Sequence, residues 1–116
     1  MVGVSEIRTG EIWLAGLDPT MGQEQGGRRP VVVVSSNAFH SLPINMLIVV
    51  PLTARDRGLI TQPRISSDGS GLSRESFARP EDVRSIDAGR LQRRLGAVSP
   101  SELMEIRKLL RYFLDL

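Results

Sequence analysis

Glu24-Gln25-Gly26-Gly27-Arg28-Arg29-Pro30-Val31-Val32-Val33-Val34-Ser35 carries a polar, glycine-bearing loop through two arginines into an uninterrupted apolar run. β-Branched residues in an unbroken series suit a strand buried on both faces, so Val31 to Ser35 reads as a central strand. Pro30 fixes its own φ and pushes Arg29 toward extended backbone. Arg29 is thereby held at the junction of a loop and a buried strand, where a guanidinium can meet an anion at little ordering cost. The glycines beside it let a ligand come close to the backbone.

Short β-like runs continue on either side. Glu11 to Ala15 reads as a first strand stopped by Asp18-Pro19, and Pro19 to Gly27 as a long polar loop. Ser36 to Asn45 reads as a loop with a helical turn. Met46 to Leu52 is a second long apolar run, and its Pro51 predicts an edge position or a bulge. Thr53 to Thr61 is polar and basic. Gln62 to Ile65, Glu75 to Arg79, Val83 to Ile86 and Leu95 to Val98 are further strand candidates, with a helical turn at Asp87 to Leu91. Then the pattern changes. Ser99-Pro100-Ser101-Glu102 combines a capping hydroxyl, proline at the first helical position and glutamate at the third. Leu103, Ile106, Leu110 and Phe113 follow at helical spacing, widened by Leu109 and Leu114. Strands followed by one terminal helix predict a mainly β fold, a small antiparallel barrel with a C-terminal helix, and argue against an α/β nucleotide-binding fold.

Composition bounds the function without choosing it. At 116 residues and 41% hydrophobic the chain reads as a single domain, 1–116, with a real but modest core. It has no cysteine, which removes disulfides and thiolate chemistry. No apolar run reaches membrane-spanning length, and Met1 to Thr9 lacks the features of a secretion signal, so a cytoplasmic location is expected. The net charge is only +2, but Lys108 is the sole lysine among the cations. Arginine's planar fork suits phosphate and stacks on bases. A GC-rich genome would produce the same bias.

Exclusions narrow the chemistry. His40 is the only histidine, so no paired-histidine nuclease can be built within one chain. It sits in a loop after Phe39 without a nucleophile-elbow pattern and reads as a surface or structural residue. There is no Walker loop, dinucleotide fingerprint or metal-ligand cluster, and no cofactor is expected. What remains is a set of arginines, the loop carboxylate Glu24 and the hydroxyl of Thr53 after the second long run. If the two long strands are antiparallel neighbours, Arg29 and Thr53 share one rim, with Glu24 and Arg55 nearby. That rim offers a guanidinium and an alcohol to one phosphate. Trp13 could stack on a base, but its apolar surroundings favour the core.

These residues resemble the MazF/PemK (Kid) family of toxin endoribonucleases from bacterial toxin–antitoxin systems. The likeness covers nearly the whole chain. It runs through Gly10-Glu11-Ile12-Trp13, Leu17-Asp18-Pro19-Thr20, Gly22 to Gly27, Arg28-Arg29-Pro30-Val31-Val32-Val33, Val50-Pro51-Leu52-Thr53 and Asp82 to Asp87, and ends in the helix opened by Ser99-Pro100. The resemblance implies an SH3-like barrel that forms a homodimer. It implies metal-independent cleavage of single-stranded RNA, often mRNA, to 2′,3′-cyclic phosphate and 5′-hydroxyl ends. It also implies a cognate antitoxin whose C-terminal segment covers the site. Family roles fall on Arg29, Thr53 and Glu24 as the catalytic set. Gln25, Arg28, Arg55, Arg57, Asp82 and Arg84 are the expected RNA contacts.

Such a reaction uses the RNA's own 2′-hydroxyl, so the protein must align it, handle protons and stabilise a phosphorane-like charge. Arginine side chains stay protonated in water, which suits Arg29 to charge stabilisation and makes Glu24 the easier base. Where several relatives place an acidic residue then glutamine, this chain has Glu81-Asp82, which brings negative charge near the expected RNA groove and weakens the transfer of any relative's cut site. Two other readings share the architecture. A CcdB-like gyrase-binding toxin would use the end of the terminal helix, but the chain closes on Phe113-Leu114-Asp115-Leu116 rather than a tryptophan–glycine tip. An SH3-like peptide-binding module would need an aromatic-lined groove, and aromatics are only 4% of the chain.

Overall fold

The computed structural model describes residues 3–116; the part of the N-terminal reading that falls on Met1 and Val2 lies outside them. The strands are β1 (Glu11–Gly16), β2 (Arg28–Val33), β3 (Met46–Thr53), β4 (Arg64–Ile65), β5 (Ser76–Ala78), β6 (Arg84–Asp87) and β7 (Leu91–Ala97). The helices are a one-turn α1 (Asn37–His40) and the terminal α2 (Pro100–Leu114). The strands form one curled seven-stranded sheet in the order β4-β5-β3-β2-β1-β7, with β6 also pairing β3. Every pairing is antiparallel. The expected small antiparallel barrel with a C-terminal helix is therefore present as a half-barrel.

The unbroken valine run works as the sequence implies. Val31 and Val33 join Trp13, Ala15, Val49 and Ile86 in a core on one side of the sheet. Val32 joins Ile12, Val50, Leu52 and Ile106 on the other. Period-two alternation thus feeds two cores, and α2 closes the second of them through Ile106, which is fully buried. Trp13 is a core residue, and its indole N–H donates to Glu11.

β2 begins three residues earlier than the apolar run suggests and ends at Val33, because Arg28 and Arg29 pair with Gly16 and Ala15 of β1. β7 likewise starts at Leu91 rather than Leu95, since Arg93 and Arg94 pair with Leu14 and Trp13. Hydrophobicity does not reveal a strand whose first half faces solvent.

Pro51 corrects the edge-or-bulge expectation, for β3 is the most connected strand of the sheet. Its backbone faces away from β2, at the gap between the β6 partners Met46–Val49 and the β5 partners Leu52–Thr53. No ladder donor is needed there, and its carbonyl accepts the Arg79 N–H at 2.9 Å.

The sheet curls shut where Gly71 and Gly96 let two backbones touch. A Cβ on Gly71 would lie 1.8 Å from the Leu95 carbonyl oxygen, and one on Gly96 would lie 2.3 Å from that of Gly69. Ser99 caps α2 as the sequence predicts, with Glu102 completing the capping box. The Glu102 carboxylate also takes the Ser66 and Ser67 N–H groups and the Ser67 hydroxyl, tying the helix start to the loop after β4. Burial opposes its ionisation, but the hydrogen bonds from Ser67, Ser99 and Ser66 outweigh that and hold the carboxyl below its ordinary value.

Candidate active site

Register brings the candidate pair together. β2 and β3 pair Val31 with Pro51 and Val32 with Val50, and two residues further toward the rim on each strand come Arg29 and Thr53. The next ladder bond would need an N–H from Pro30, which has none. The β2–β3 pairing runs no further toward the rim than Val31 and Pro51, and Arg29 and Thr53 lie just beyond it. Both side chains line one cavity of about 410 Å³, together with Gln25, Ala54, Arg55, Arg57 and Arg74. None of these residues is a carboxylate, and Arg55, Arg57 and Arg74 make no ion pair among the described residues. A cavity walled by unpaired guanidiniums is a seat for an anion.

The polar atoms are already aimed. Arg29 is half-buried, and its Nε donates to the Gly26 carbonyl at 2.6 Å. One edge of the guanidinium is thus fixed, leaving the terminal nitrogens for a ligand. Thr53 is buried, and its Oγ1 accepts the Arg55 N–H at 3.2 Å. The hydroxyl proton remains free to donate.

The loop from Asp18 to Gly27 is a braced structure. Asp18 Oδ1 accepts the Gly27 N–H at 3.0 Å. Asp82 Oδ2 accepts the Gln25 N–H at 2.6 Å, and Gln25 is buried. Arg79 donates to the Gln25 side-chain carbonyl and to the Gln23 backbone oxygen, the latter at 3.1 Å. Arg79 is held in turn by Glu81, which also takes the Gln62 amide at 2.7 Å. Arg84 reaches the Leu17 carbonyl and Arg90 those of Gly16 and Asp18. A Cβ on Gly26 would lie 2.5 Å from Thr20 Oγ1 and 2.7 Å from Asp18 Oδ1, so any larger residue must displace those side chains.

The other expected residues divide. Gln25, Arg55 and Arg57 share the cavity with Arg29 and Thr53. Arg28 lies across the strand, donating to Gln92 at 2.9 Å and lining the neighbouring cavity. Asp82 and Arg84 point at loop backbone. Glu24 is exposed and stands outside that cavity lining; its carboxylate caps its own loop by accepting the Met21 N–H at 2.5 Å. His40 is buried, with Nδ1 against the Ile7 carbonyl and Nε2 against the Ser35 hydroxyl, which makes it a structural residue.

A family model described as "PemK-like, MazF-like toxin of type II toxin-antitoxin system" matches residues 8–114. This chain belongs to that family. Endoribonuclease MazF9 of Mycobacterium tuberculosis is 36% identical over 115 residues, spanning 95% of this chain and 98% of that protein. The crystal structure of MazF from Deinococcus radiodurans matches with a TM-score of 0.84 at 25% identity, covering 95% of this chain and 97% of that one. A MazE–MazF structure from the same organism contains a chain that matches with a TM-score of 0.77 at 26% identity, covering 95% and 96%.

Sequence reading missed Arg74 and Arg79. Arg74 lies in a turn-rich stretch with no apolar pattern to frame it. Its signal could only have come from knowing that the 71–76 segment folds over the β2–β3 rim. Arg79 precedes Pro80, and that arginine–proline step, repeated from Arg29-Pro30, was the available clue.

Proposed function

We propose that this chain is the toxin of a type II toxin–antitoxin pair and acts as a metal-independent endoribonuclease on single-stranded RNA. The observation that carries the reading is that Arg29 and Thr53 line one cavity whose other charged walls are Arg55, Arg57 and Arg74. A backbone phosphate fits that cavity by charge. With the phosphate between Arg29 and Thr53, the adjoining 2′-oxygen attacks phosphorus, the bond to the 5′-oxygen breaks, that oxygen takes a proton from water, and a 2′,3′-cyclic phosphate and a 5′-hydroxyl result. Arg29 stabilises the charge that builds on the non-bridging oxygens, and Thr53 donates its hydroxyl to one of them. DNA lacks the nucleophile and is not cut.

Glu24 takes the proton from the 2′-hydroxyl once its carboxylate has left the Met21 N–H. Arg55 and Arg57 hold flanking phosphates. Asp82 and Arg84 act through the loop, keeping Gln25 and Gly26 in place. The reaction takes place in the cytoplasm, where mRNA is the substrate; no helix among the described residues is long and apolar enough to cross a membrane. A second copy of the chain and the C-terminal segment of an antitoxin are the protein partners. Exposed Met104, Tyr112, Leu114 and Leu116 on and beyond α2 leave apolar surface for such contacts.

Purified protein incubated with single-stranded RNA in excess chelator tests this. Site-specific cuts ending in cyclic phosphate, absent from Arg29→Ala, are expected. Intact RNA, or cutting only after metal is added, refutes the assignment.

A further inference from the structure

Beside the anionic seat lies a second cavity of about 350 Å³, and the two share Arg29, Ala54 and Arg74. Its floor is apolar: Leu14, Pro30 and Leu52 come from the adjacent strands β1, β2 and β3, joined by Leu72 and Leu95. Its charged rim is Arg28, Arg29, Arg74 and Arg93, again without a carboxylate. Arg74 and Arg93 make no ion pair among the described residues. The floor is set by pairing, because β1 and β2 bring Leu14 opposite Pro30, and β1 and β7 bring Leu14 opposite Arg93. Because Arg29, Ala54 and Arg74 line both, the phosphate seat and the apolar cavity are two ends of one trough.

We propose that this cavity is the specificity subsite, receiving one unstacked base of the RNA strand next to the scissile phosphate. The inference rests on the ribonuclease reading above and extends it to base selection. A base has apolar faces and a polar edge. Leu14, Leu72 and Leu95 cover the faces, while the Arg74 and Arg93 guanidiniums stack on the ring or bond its edge. Single-stranded RNA presents its bases unstacked, and their Watson–Crick edges are free to be read. With aromatics at only 4% of the chain and Trp13 buried in the core, stacking on guanidinium replaces stacking on an aromatic ring. An acidic, leucine-bearing peptide would satisfy the same surface. The base is favoured because the cavity opens directly onto Arg29, one nucleotide's reach from the reacting bond.

The test is cleavage of a randomised single-stranded RNA pool in chelator by wild-type protein, Arg93→Gln and Leu72→Trp, with cut sites read by sequencing and folding checked by thermal melts. Arg93 is exposed, so its substitution leaves the core intact. Arg93→Gln is expected to reduce the preference at one position flanking the cut by about tenfold, the scale of a single lost contact in a pocket, while cuts persist. Leu72→Trp, filling the floor, is expected to reject purines at that same position. A consensus unchanged in both folded variants overturns the subsite and leaves the ribonuclease reading standing. If that unchanged consensus comes with weaker inhibition by an acidic peptide, the cavity belongs to a peptide instead. Failure of the wild-type protein to cut any RNA removes both readings together.

Discussion

Asp82→Ala should loosen the loop that carries Gln25 and Gly26 without disturbing either core. Asp82 Oδ2 accepts the Gln25 N–H at 2.6 Å, and Gln25 is only 7% exposed. A hydrogen bond to a charged acceptor contributes about 1.5–3 kcal/mol, and about 1.4 kcal/mol is a factor of ten in an equilibrium. Removing the carboxylate therefore shifts the seated-to-released ratio by between about tenfold and a hundredfold. Arg79 still grips the Gln25 side chain and the Gln23 carbonyl, so the effect falls at the lower end. Releasing Gly26 frees the Arg29 guanidinium from the one hydrogen bond it makes among the described residues, through Nε to the Gly26 carbonyl. Amide hydrogen exchange should then quicken about tenfold at residues 23–27 and stay unchanged in the valine strands, and kcat/KM for RNA should fall by a similar factor. Asp82→Asn retains a carbonyl acceptor and should recover most of both. Unaltered exchange in the loop of Asp82→Ala would show that the brace has no effect and refute the reasoning.

Glu24→Gln should slow cleavage by about 10²–10⁴-fold, as expected for loss of a general base, and flatten the acidic limb of the pH–rate profile; a small loss with an unchanged profile would assign proton removal elsewhere. Glu102→Gln keeps a capping-box acceptor for the Ser99 N–H but loses the charge that strengthens that bond and those from Ser66 and Ser67, and should destabilise the fold by about 1 kcal/mol at neutral pH. Because the folded carboxyl is held below its ordinary value, its contribution is complete above that value and lost as pH falls through the folded one. The stability gap between wild type and Glu102→Gln should accordingly close on acidification, as followed by urea melts from pH 7 to pH 3.

The core and the terminal helix were legible because their signals are local. An unbroken β-branched run, a capping box and a helical stripe each need only neighbouring residues. The Arg29–Thr53 pairing was legible for a different reason: antiparallel neighbours fix which ends meet. Strand limits were hidden at Arg28-Arg29 and at Leu91 to Arg94, because polar strand halves carry no hydrophobic pattern. Pro51 misled because a missing N–H matters only if a partner waits for it, and the partner changes from β6 to β5 at that residue. Arg79 depends on a contact to Gln25 with a separation of 54, and Arg74 reaches the site because its turn folds beside residues of β2 and β3. The carboxylates Asp82 and Glu24 were visible as charges, but their present partners, one on Gln25 and one on Met21, are set by loop geometry.

The claim on which the account rests is that one guanidinium and one alcohol act on one phosphate. Single-turnover cleavage of an RNA with one cut site, in chelator, by Arg29→Ala, Thr53→Val and the double variant measures it. Arg29→Ala should lose about 10²–10³-fold in rate and Thr53→Val about tenfold or more. The double variant should be hardly worse than Arg29→Ala, since groups acting as a unit are strongly non-additive. Losses that multiply would mean that the two side chains act independently, and the shared seat for a scissile phosphate would be wrong.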